Sequence, residues 1–556
     1  MKMGGEHPRP CSFCMLVAPR DSCGFHASHL PSRSRPTRSL TTAQGHCRIG
    51  KERLSACRRA ADMPAGDRSR RTIRILSRPV PRADTAHDGR STRITACRGG
   101  TTAANNSESY KAAMHNSMDV KSAIVGGGLT GVSLARFLHE RGEDVVVLER
   151  EPCIGGLCRS RTEAGFTFDI GGSHIIFSRD TGVLSFMRTV LGENREERTR
   201  NTKILYKGSY VKYPFENGLF QLPKDDLFFC INEFIQNLIA VETGRVPPPR
   251  NFAEWITATF GRGIAGCYML PYNRKIWNFP LENMSHHWVD GRIPRPPVED
   301  IIRSAIGIET EGYTHQAVFS YPVRGGIEAL IHAIAEPISR YIMTGFPVSR
   351  IREENGTFTI SDGRRDVKAD RLISTIPLQI LLPCLENVPD NVQAACDALK
   401  YNSLCSVFIG VKGKVPEFSW VYIPEEEAGP FNRISFPSGY STRTAPPGHA
   451  SVLAEITFNE GDAISRMQDP EIIDHVMQAL EKIGIIPDRN AVVYTGVERQ
   501  KFAYVVYDLD YRKNIEIVRE FCSERKISLV GRFAQFEYLN MDGCIRSAMD
   551  FAGLDR

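Results

Sequence analysis

The sequence predicts an α/β fold built on a βαβ unit, with an inserted region of helices and antiparallel strands at about residues 200–320 and a basic leader in front. Three observations lead to this prediction. A glycine-rich turn joins an apolar strand to a helix within residues 121–150, a second glycine-rich segment follows at residues 150–178, and the excess positive charge is confined to the first fifth of the chain. They indicate one large unit at residues 118–556.

The first 117 residues differ from the rest in charge and composition. They hold 21 of the 70 Lys and Arg residues but only 8 of the 64 Asp and Glu residues, which gives them a net charge of +13 and leaves residues 118–556 with −7. Their three aromatic residues and repeated Ser, Arg and Pro offer too little apolar surface to offset the conformational entropy lost on folding. We therefore expect a disordered leader.

Three interpretations of this leader stay open: an organelle transit peptide, a nucleic-acid-binding arm, and sequence upstream of a natural start at Met118, which we favour because a strand begins directly after it. Fifteen scattered cysteines without a clean apolar signal segment predict a reducing compartment, here the cytoplasm. No apolar run approaches the ~18 residues of a membrane-spanning helix. We expect no membrane span, no nucleic-acid partner and no metal site.

Residues 121–150 contain a strand at residues 123–125, a glycine turn, a helix at about residues 129–141 and a second strand that ends in an acid. Gly126 permits the tight turn, Gly128 lets the backbone approach a pyrophosphate, and Gly131 allows the helix to pack closely on the strand. Glu149 is placed to accept a hydrogen bond from a ribose hydroxyl. This combination is typical of a Rossmann-like dinucleotide-binding domain, with either NAD or FAD as its ligand.

The second glycine-rich segment favours FAD. It carries two glycine pairs, the first at Gly155 and Gly156, close to Arg159 and His174. A long cofactor lying extended across the domain needs a second loop of this kind next to the first. The sequence therefore predicts a FAD-binding Rossmann-like domain.

Two later segments are predicted to return to the cofactor. Strands at residues 350–375 follow Val348, which is placed to contact an adenine ring. Near the end, a strand leads into Gly531 and Arg532 and then into a helix that we expect Asp542 to cap. Amides at the start of that helix would stabilise the negative charge of a reduced flavin.

Helices inserted between cofactor-binding stretches are a normal place for a substrate pocket. Here residues 269–297 interleave four aromatic side chains with several arginines and a lysine. Aromatic rings that stack a base and arginines that hold phosphate suit a nucleotide-bearing ligand, whereas an ordinary aromatic core with solvated charges fits the same composition. Composition alone names no substrate.

Residues 118–556 resemble UDP-galactopyranose mutase, in particular its eukaryotic-type branch, within the wider group of flavin amine oxidases and protoporphyrinogen oxidases. The glycine turns are shared by many flavoproteins, whereas the YPFEN and PYNRKIW segments are much more specific. The resemblance rests on GGGLTG, IGGLCRS, GFTFDIGGSHIIFS, YKGSYVKYPFENGLFQLPK, LPYNRKIWNFPLENMSHHWVDGRIP, YPVRGGIEAL, FIGVKGKVP, WVYIP and GRFAQFEYLNMD.

The resemblance implies roles for individual residues. His174 lies beside the flavin, Arg292 belongs to a mobile loop that binds the substrate diphosphate, and Tyr504 and Tyr538 hold that diphosphate from the opposite side. Arg532 matches a flavin-contacting arginine. The other matched positions are Tyr213, Phe215, Asn273 and Trp277 in the sugar-nucleotide pocket, and, by spacing only, Arg200 at the nicotinamide reductant.

Two positions in the substrate-binding set depart from the family pattern. Glu216 stands where the family has glutamine, beside the expected uracil site, and Lys412 stands where the family has arginine. Lysine keeps the charge but loses the bidentate fork of a guanidinium. Either change is compatible with a different nucleotide sugar or with a flavoenzyme that has left mutase chemistry.

The resemblance implies an isomerase that interconverts UDP-galactopyranose and UDP-galactofuranose. In that family N5 of the reduced flavin attacks the anomeric carbon, so no side chain acts as the nucleophile, and NADPH or NADH reduces the flavin. The alternative is a FAD-dependent oxidoreductase of the amine oxidase or protoporphyrinogen oxidase type. An enzyme of that type does not need a diphosphate site built on Arg292, Tyr504 and Tyr538. The expected partner is a nucleotide sugar, and the sequence is compatible with a homo-oligomer.

Overall fold

The computed structural model describes residues 118–290, 292–293, 295–310 and 317–554, so the predictions for the leader lie outside the described residues. The strands are β1 (Met118–Val125), β2 (Val145–Leu148), β3 (Ser160–Glu163), β4 (Phe166–Asp169), β5 (Glu196–Thr199), β6 (Thr202–Tyr206), β7 (Ser209–Lys212), β8 (Val318–Tyr321), β9 (Ile342–Met343), β10 (Arg350–Glu354), β11 (Thr357–Ser361), β12 (Asp366–Ser374), β13 (Lys400–Lys412), β14 (Trp420–Tyr422), β15 (Arg433–Ser435), β16 (His449–Phe458), β17 (Val492–Val506) and β18 (Ile527–Leu529). The α-helices are α1 (Leu129–Glu140), α2 (Thr181–Leu191), α3 (Lys224–Glu242), α4 (Phe252–Ile264), α5 (Leu270–Trp277), α6 (Val298–Ala305), α7 (Glu328–Ala335), α8 (Leu378–Leu381), α9 (Asp390–Ala398), α10 (Ala463–Arg466), α11 (Asp469–Lys482), α12 (Tyr511–Glu524) and α13 (Met541–Phe551).

The first sheet contains the predicted βαβ unit. Its strand order is β10–β11–β12–β1–β2–β9, and β18 pairs with the end of β12. Strand β1 lies between β12 and β2 with parallel register on both sides, so that Ile124 pairs with Ile373 and with Val147. The hairpin of β10 and β11 runs antiparallel against the start of β12. Helix α1 ends at Glu140, one residue before the predicted end.

Both faces of this sheet are buried, which explains the nearly continuous apolar runs of β1 and β2. Ala123 and Val125 point into a core shared with β10–β12, α9 and α12, whereas Ile124 points into a core that includes α1 and α13. Alternate residues of a strand face opposite sides of the sheet. The cofactor-binding turn therefore starts from a strand held on both faces.

The second sheet has the order β17–β13–β16–β15–β14–β6–β7, and only β14 and β6 pair in parallel. Helix α11 packs on one face through Ile472, Val476 and Leu480. On the other face, Phe168 of β4 stacks on Phe408 of β13 at a ring-centroid distance of 4.8 Å. The hairpin of β3 and β4 thus ties the second glycine-rich segment to this sheet.

Helices α3 to α6 lie in the chain between β7 and β8 and share a core of their own. Trp255, Phe260 and Trp277 are buried in this core together with Phe215, which follows β7. A five-residue π-helical turn, Ala265–Met269, joins α4 to α5. In the described part of the chain no helix is both long and apolar enough to cross a membrane.

Candidate active site

The glycine turn between β1 and α1 leaves room for a phosphate group. Gly126 has a φ of +109°, a backbone conformation that favours glycine. A Cβ atom at Gly131 would lie 1.9 Å from the carbonyl oxygen of Gly126, so only glycine lets α1 start this close to β1. A Cβ atom at Gly128 would meet no described atom within 4 Å. Open space therefore lies beside the first amides of α1, where an anion binds well.

Glu149 directly follows β2, and two backbone amides fix its carboxylate. Oε2 accepts a hydrogen bond from the amide of Gly127 at 2.6 Å, and Oε1 accepts one from the amide of Glu151 at 2.8 Å. Each carboxylate oxygen keeps further capacity to accept a hydrogen bond. The acid is thus oriented, before any ligand arrives, to accept from a ribose hydroxyl.

The second glycine-rich segment lies against the first. Gly155 and Gly156 have φ values of +117° and +54°, and the amide of Gly155 donates to the carbonyl of Gly127 at 2.8 Å. The guanidinium of Arg159 donates to the sulfur of Cys153 at 3.4 Å, while its Nε has no hydrogen-bond partner among the described residues. A buried N–H without a partner is costly, so this group suits an anionic ligand.

Gly531 and Arg532 bring the end of β18 to the same place. Gly531 has a φ of +89°, and a Cβ atom there would lie 2.4 Å from Oγ1 of Thr130 in α1. The guanidinium of Arg532 donates to the carbonyls of Leu539 and Ala503 at 2.8 and 2.6 Å. Its Nε is buried without a partner in the described chain. Arg532 is therefore held by two hydrogen bonds, and its other N–H donors, including Nε, are left for a ligand.

The prediction that Asp542 caps the last helix was wrong. Asn540 is the N-cap residue of α13, and Asp542 is the second residue of the helix, where it accepts a hydrogen bond from Ser178 Oγ at 2.7 Å. Acidic residues are favoured both at the cap and in the first turn, so the sequence pattern does not separate these two positions. Asn540 makes no capping hydrogen bond, and the amide of Gly543 donates to Asp542 Oδ1 at 2.9 Å, which leaves the amides of Met541 and Asp542 for another acceptor.

These residues fit a dinucleotide cofactor, because an open glycine turn, an oriented carboxylate and two arginines with unpartnered Nε atoms converge on β1 and α1. Val348 packs against the core of the first sheet, in the loop before β10. Its contact with an adenine ring stays a prediction.

Two adjoining cavities open beside these residues. The outer cavity, of about 470 Å³, and the inner cavity, of about 290 Å³, share part of their walls. The walls common to both come from Phe177, Tyr213, Tyr538, Asn540 and Asp542. Because they share these residues, one elongated ligand can occupy both.

His174 lines the inner cavity as a neutral imidazole. Its Nδ1 lies 2.8 Å from the carbonyl oxygen of Gly172. Burial, together with the nearby guanidiniums of Arg433 and Arg532, lowers the pKa of His174 to about 4. Since a carbonyl only accepts, Nδ1 carries the proton and Nε2 is the atom able to accept a hydrogen bond.

A buried ion pair positions this histidine. Arg433 forms a bidentate pair with Glu455, through Nε to Oε1 at 2.8 Å and a terminal nitrogen to Oε2 at 2.6 Å. Glu455 also accepts from the amide of Ser173, and Arg433 donates to the carbonyl of the same residue at 3.3 Å. The pair thereby anchors the backbone next to His174 to β15 and β16.

Arginines and tyrosines meet where the two cavities join. The guanidinium of Arg532 lies 4.7 Å from the ring centroid of Tyr538 and 5.3 Å from that of Tyr504. Arg292, which is exposed at the mouth of the outer cavity, lies 5.0 Å from the ring of Tyr538. Burial raises the pKa of Tyr504 well above its usual value, so its phenol stays a hydrogen-bond donor. The cluster combines positive charge with neutral O–H donors.

Asn273 and Trp277 are both buried in α5 and hydrogen-bond each other, with Trp277 Nε1 donating to Asn273 Oδ1 at 3.1 Å. Asn273 lines the outer cavity. Trp277 supports the cluster from behind, with its ring centroid 5.6 Å from Tyr538 and 6.3 Å from Tyr504.

Two of the predicted pocket residues do not join this group. Phe215 is fully buried and stacks on Tyr268 at a centroid distance of 5.1 Å, so it supports the cavity wall. Lys412 is exposed at the end of β13, where it pairs with His449 of β16. The resemblance placed Lys412 in the pocket, but a residue at the outer end of a long strand lies away from both cavities.

The sequence reasoning missed Arg433, Tyr268, Tyr272 and Tyr422, which line the cavities. Arg433 lies in the segment FNRISF, in which apolar and polar residues are mixed as in an ordinary sheet strand. The only signal available was a single arginine between Asn432 and Ile434. Among the described residues no group of three or more His, Cys, Asp and Glu side chains is placed to hold a metal ion.

Comparisons with known proteins agree with this geometry. The sequence pattern of the family described as flavin containing amine oxidoreductase matches residues 129–553. A crystal structure of reduced UDP-galactopyranose mutase is similar over 78% of this chain and 96% of that chain, with a TM-score of 0.72 and 29% identity. A putative protoporphyrinogen oxidase from Exiguobacterium sp. 255-15 matches over 79% and 98%, with a TM-score of 0.63 and 18% identity, which shows likeness of fold alone.

Curated relatives match over short segments. An uncharacterized protein from Methanothermococcus thermolithotrophicus, encoded in a nifH2 3' region, is 44% identical over 61 residues, which are 11% of this chain and 59% of that protein. The chain thus spans less than two thirds of that relative. The match to the family pattern, in contrast, extends over most of the described residues. The chain therefore belongs to the flavin-containing amine oxidoreductase family.

Proposed function

We propose that this chain is a FAD-dependent isomerase of the eukaryotic UDP-galactopyranose mutase type, interconverting UDP-galactopyranose and UDP-galactofuranose. The observation that carries the proposal is the cluster of Arg292, Arg532, Tyr504 and Tyr538 at the junction of the two cavities. The likeness to reduced UDP-galactopyranose mutase, at 29% identity over nearly the whole of that chain, supports it.

The cluster has the chemistry of a diphosphate site. Two guanidiniums carry permanent positive charge, and the two tyrosines offer O–H donors. Burial raises the pKa of Tyr504 well above its usual value, so its phenol brings no competing negative charge. The first amides of α13, which Asn540 leaves without a side-chain cap, add a positive helix end at the same wall. A cationic amine has no anionic group for this set of donors to bind, and a porphyrinogen has separate carboxylates rather than two linked phosphates.

Reduced FAD, when bound, supplies the nucleophile and the electron-rich centre of the reaction. The side chains of this protein bind the substrate, orient it and shield it from water. The diphosphate cluster holds the UDP group as it leaves and returns, which keeps the sugar in the inner cavity. His174 accepts a hydrogen bond at Nε2 and, with a pKa of about 4, stays uncharged at neutral pH.

We propose NADPH or NADH as the reductant and the cytoplasm as the compartment. The guanidinium of Arg200 supports a nicotinamide site, because it lies 4.7 Å from the ring of Tyr213 and 4.8 Å from that of Trp420 in the wall of the inner cavity. Planar stacking of this kind suits a flat ring.

The second candidate is a FAD-dependent oxidoreductase, favoured by the family to which the chain belongs. It shares every cofactor-binding residue with the first. The two differ in what happens to electrons, since an oxidase passes two electrons from each substrate to the flavin and an isomerase returns every electron it uses.

The test is an activity assay on residues 118–556 loaded with FAD. We expect UDP-galactofuranose to be converted to UDP-galactopyranose after reduction with dithionite, and no conversion by the oxidised protein. Bleaching of the oxidised flavin by an amine or a porphyrinogen, without conversion of UDP-galactofuranose by the reduced form, would contradict the proposal and support the oxidoreductase.

A further inference from the structure

The wall of the outer cavity contains a carboxyl group that the diphosphate cluster does not use. Glu216 lies in the short turn Phe215–Asn217 that follows β7, and it is only 5% exposed. Its side chain lines the outer cavity. Within the described residues the hydrogen-bond partner of its carboxyl is its own backbone amide. A buried carboxyl with this little support either meets a ligand or stays neutral.

The titratable and charged groups that line the outer cavity together with Glu216 come from several elements. They are the phenols of Tyr213, Tyr268 and Tyr272, the guanidiniums of Arg179 and Arg292, and the carboxyl of Asp542. Burial raises the pKa of each of these three phenols above the usual value for tyrosine, so the phenols carry no charge at neutral pH. Neither guanidinium offsets the burial of Glu216, and burial raises its pKa to about 7.

The wall beside Glu216 is a stack of flat rings. The Tyr268 ring lies 5.1 Å from that of Phe215 and 5.4 Å from that of Tyr272, with interplanar angles of 14° and 12°. Tyr272 meets Tyr422 edge-on at 5.0 Å. A wall of aromatic rings suits a planar ligand, and a polar group beside it then selects among such ligands.

The protonation state of a carboxyl decides which hydrogen-bonding groups of a ligand it can recognise. A neutral carboxylic acid offers one donor and one acceptor side by side, as a glutamine side chain does, whereas a carboxylate offers acceptors only. The edge of uracil presents an N–H next to a carbonyl oxygen, which a neutral acid satisfies with two hydrogen bonds. A carboxylate would face that carbonyl oxygen with negative charge.

We propose that Glu216 reads the uracil ring of the substrate as a neutral carboxylic acid, donating from its O–H to a uracil carbonyl and accepting from the ring N–H. This inference rests on the proposed function, which puts a UDP-sugar in these cavities. It makes Glu216 a specificity-determining residue whose protonation is required for tight binding, and it explains how glutamic acid replaces the glutamine of the resembling family.

The test measures binding of UDP-galactose to the FAD-loaded, oxidised protein and to its Glu216→Gln variant by calorimetry at about pH 5.5, 7 and 8.5. UDP-galactose is the probe because its diphosphate, esterified at both ends, does not change protonation over this range. For the unchanged protein, we expect the dissociation constant to rise about tenfold or more between the two extremes, as Glu216 ionises. For Glu216→Gln, which keeps both hydrogen bonds at every pH, we expect a change below about threefold.

The outcomes separate the inference from the function it rests on. A dissociation constant independent of pH in the unchanged protein overturns the role of Glu216 while leaving the UDP-sugar site intact. An equal pH response in both proteins does the same, because it assigns the titration to another group. If neither protein binds UDP-galactose at any pH, the proposed function itself fails. The flavin absorbance of the variant shows that it is folded, and the pH series on the unchanged protein stands even if it is not.

Discussion

The glycine turns of the first sheet and the two cavities beside them are built in different ways. The turn at Gly126 to Gly131 is made by six consecutive residues, and its backbone amides form the binding site. Its functional feature is the open space beside Gly128. The cavities draw their walls from segments that lie up to several hundred residues apart, such as Tyr213 and Tyr538, and side chains supply the function. A site made of backbone groups is specified by neighbouring residues in the sequence. A site made of side chains depends on the fold, which brings distant residues together.

This difference decides what the sequence could predict. Strand β1, helix α1 and strand β2 follow from apolar runs and glycine spacing. The helix ends one residue before its predicted end, whereas β1 begins at Met118, five residues before its predicted start. Glu149 was identified because it ends the second strand at a fixed distance from the turn. Each of these signals lies within about thirty residues of the others.

The cavities were predictable only through the resemblance, and only in part. Arg433 was missed because nothing near it in sequence marks it, and its role depends on Glu455 and Ser173, which long-range pairing brings to it. Lys412 was assigned by motif position, yet the length of β13 carries it to the surface. Asp542 was assigned as a cap because its first-turn position has the same preference.

The largest expected effect concerns the ion pair that anchors the cavity region. Replacing Glu455, whose side chain is 1% exposed, by alanine leaves the guanidinium of Arg433 without its partner. We expect the free energy of unfolding to fall by about 4 kcal/mol, as measured by urea denaturation of the FAD-loaded protein. As a control, Glu481→Ala breaks a pair with Arg489 in which the two side chains are 34% and 41% exposed, and it should leave the denaturation midpoint unchanged. Equal effects of the two variants would remove the anchoring role.

The glycine turn allows packing and cofactor space to be tested separately. Gly131→Ala puts a Cβ atom 1.9 Å from a backbone oxygen, so we expect a loss of about 3 kcal/mol in stability together with loss of flavin. Gly128→Ala meets no described atom and has an extended φ of −75°, so the apoprotein should keep its stability and lose flavin affinity. Flavin absorbance after gel filtration and apoprotein denaturation check the two parts. Full flavin binding by Gly128→Ala would mean that no phosphate approaches this turn.

The next prediction concerns Arg292, the exposed arginine of the outer cavity, and its role in binding a diphosphate. Arg292→Ala removes a charge-assisted donor from the diphosphate cluster, so we expect UDP to bind about thirtyfold more weakly, about 2 kcal/mol, while the flavin spectrum is unchanged. Arg295→Ala, three residues further along and also exposed, is the matched control. Calorimetric titration with UDP measures both variants, and equal losses would reassign the effect to net charge.

The last expected effect, similar in size to that of Arg292→Ala, is the pH dependence of stability from Glu216. Its pKa is raised from 4.5 in the unfolded chain to about 7 in the fold, so the fold favours the protonated form, and the contribution to stability is lost as pH rises between these values. Relative to Glu216→Gln, the unchanged protein should lose about 2 kcal/mol between about pH 5 and pH 8. Urea denaturation of both proteins at the two pH values measures this difference. Parallel pH curves for the two proteins would show that Glu216 is ionised throughout.

The measurement that tests the central claim most directly counts electrons. The FAD-loaded protein is reduced with dithionite in a sealed anaerobic cuvette, excess UDP-galactofuranose is added, and flavin absorbance and UDP-galactopyranose are followed together. An isomerase built on this family's flavin site should form many molecules of product for each flavin while the flavin stays reduced. Reoxidation of one flavin for each product formed, or no product at all, would contradict the account.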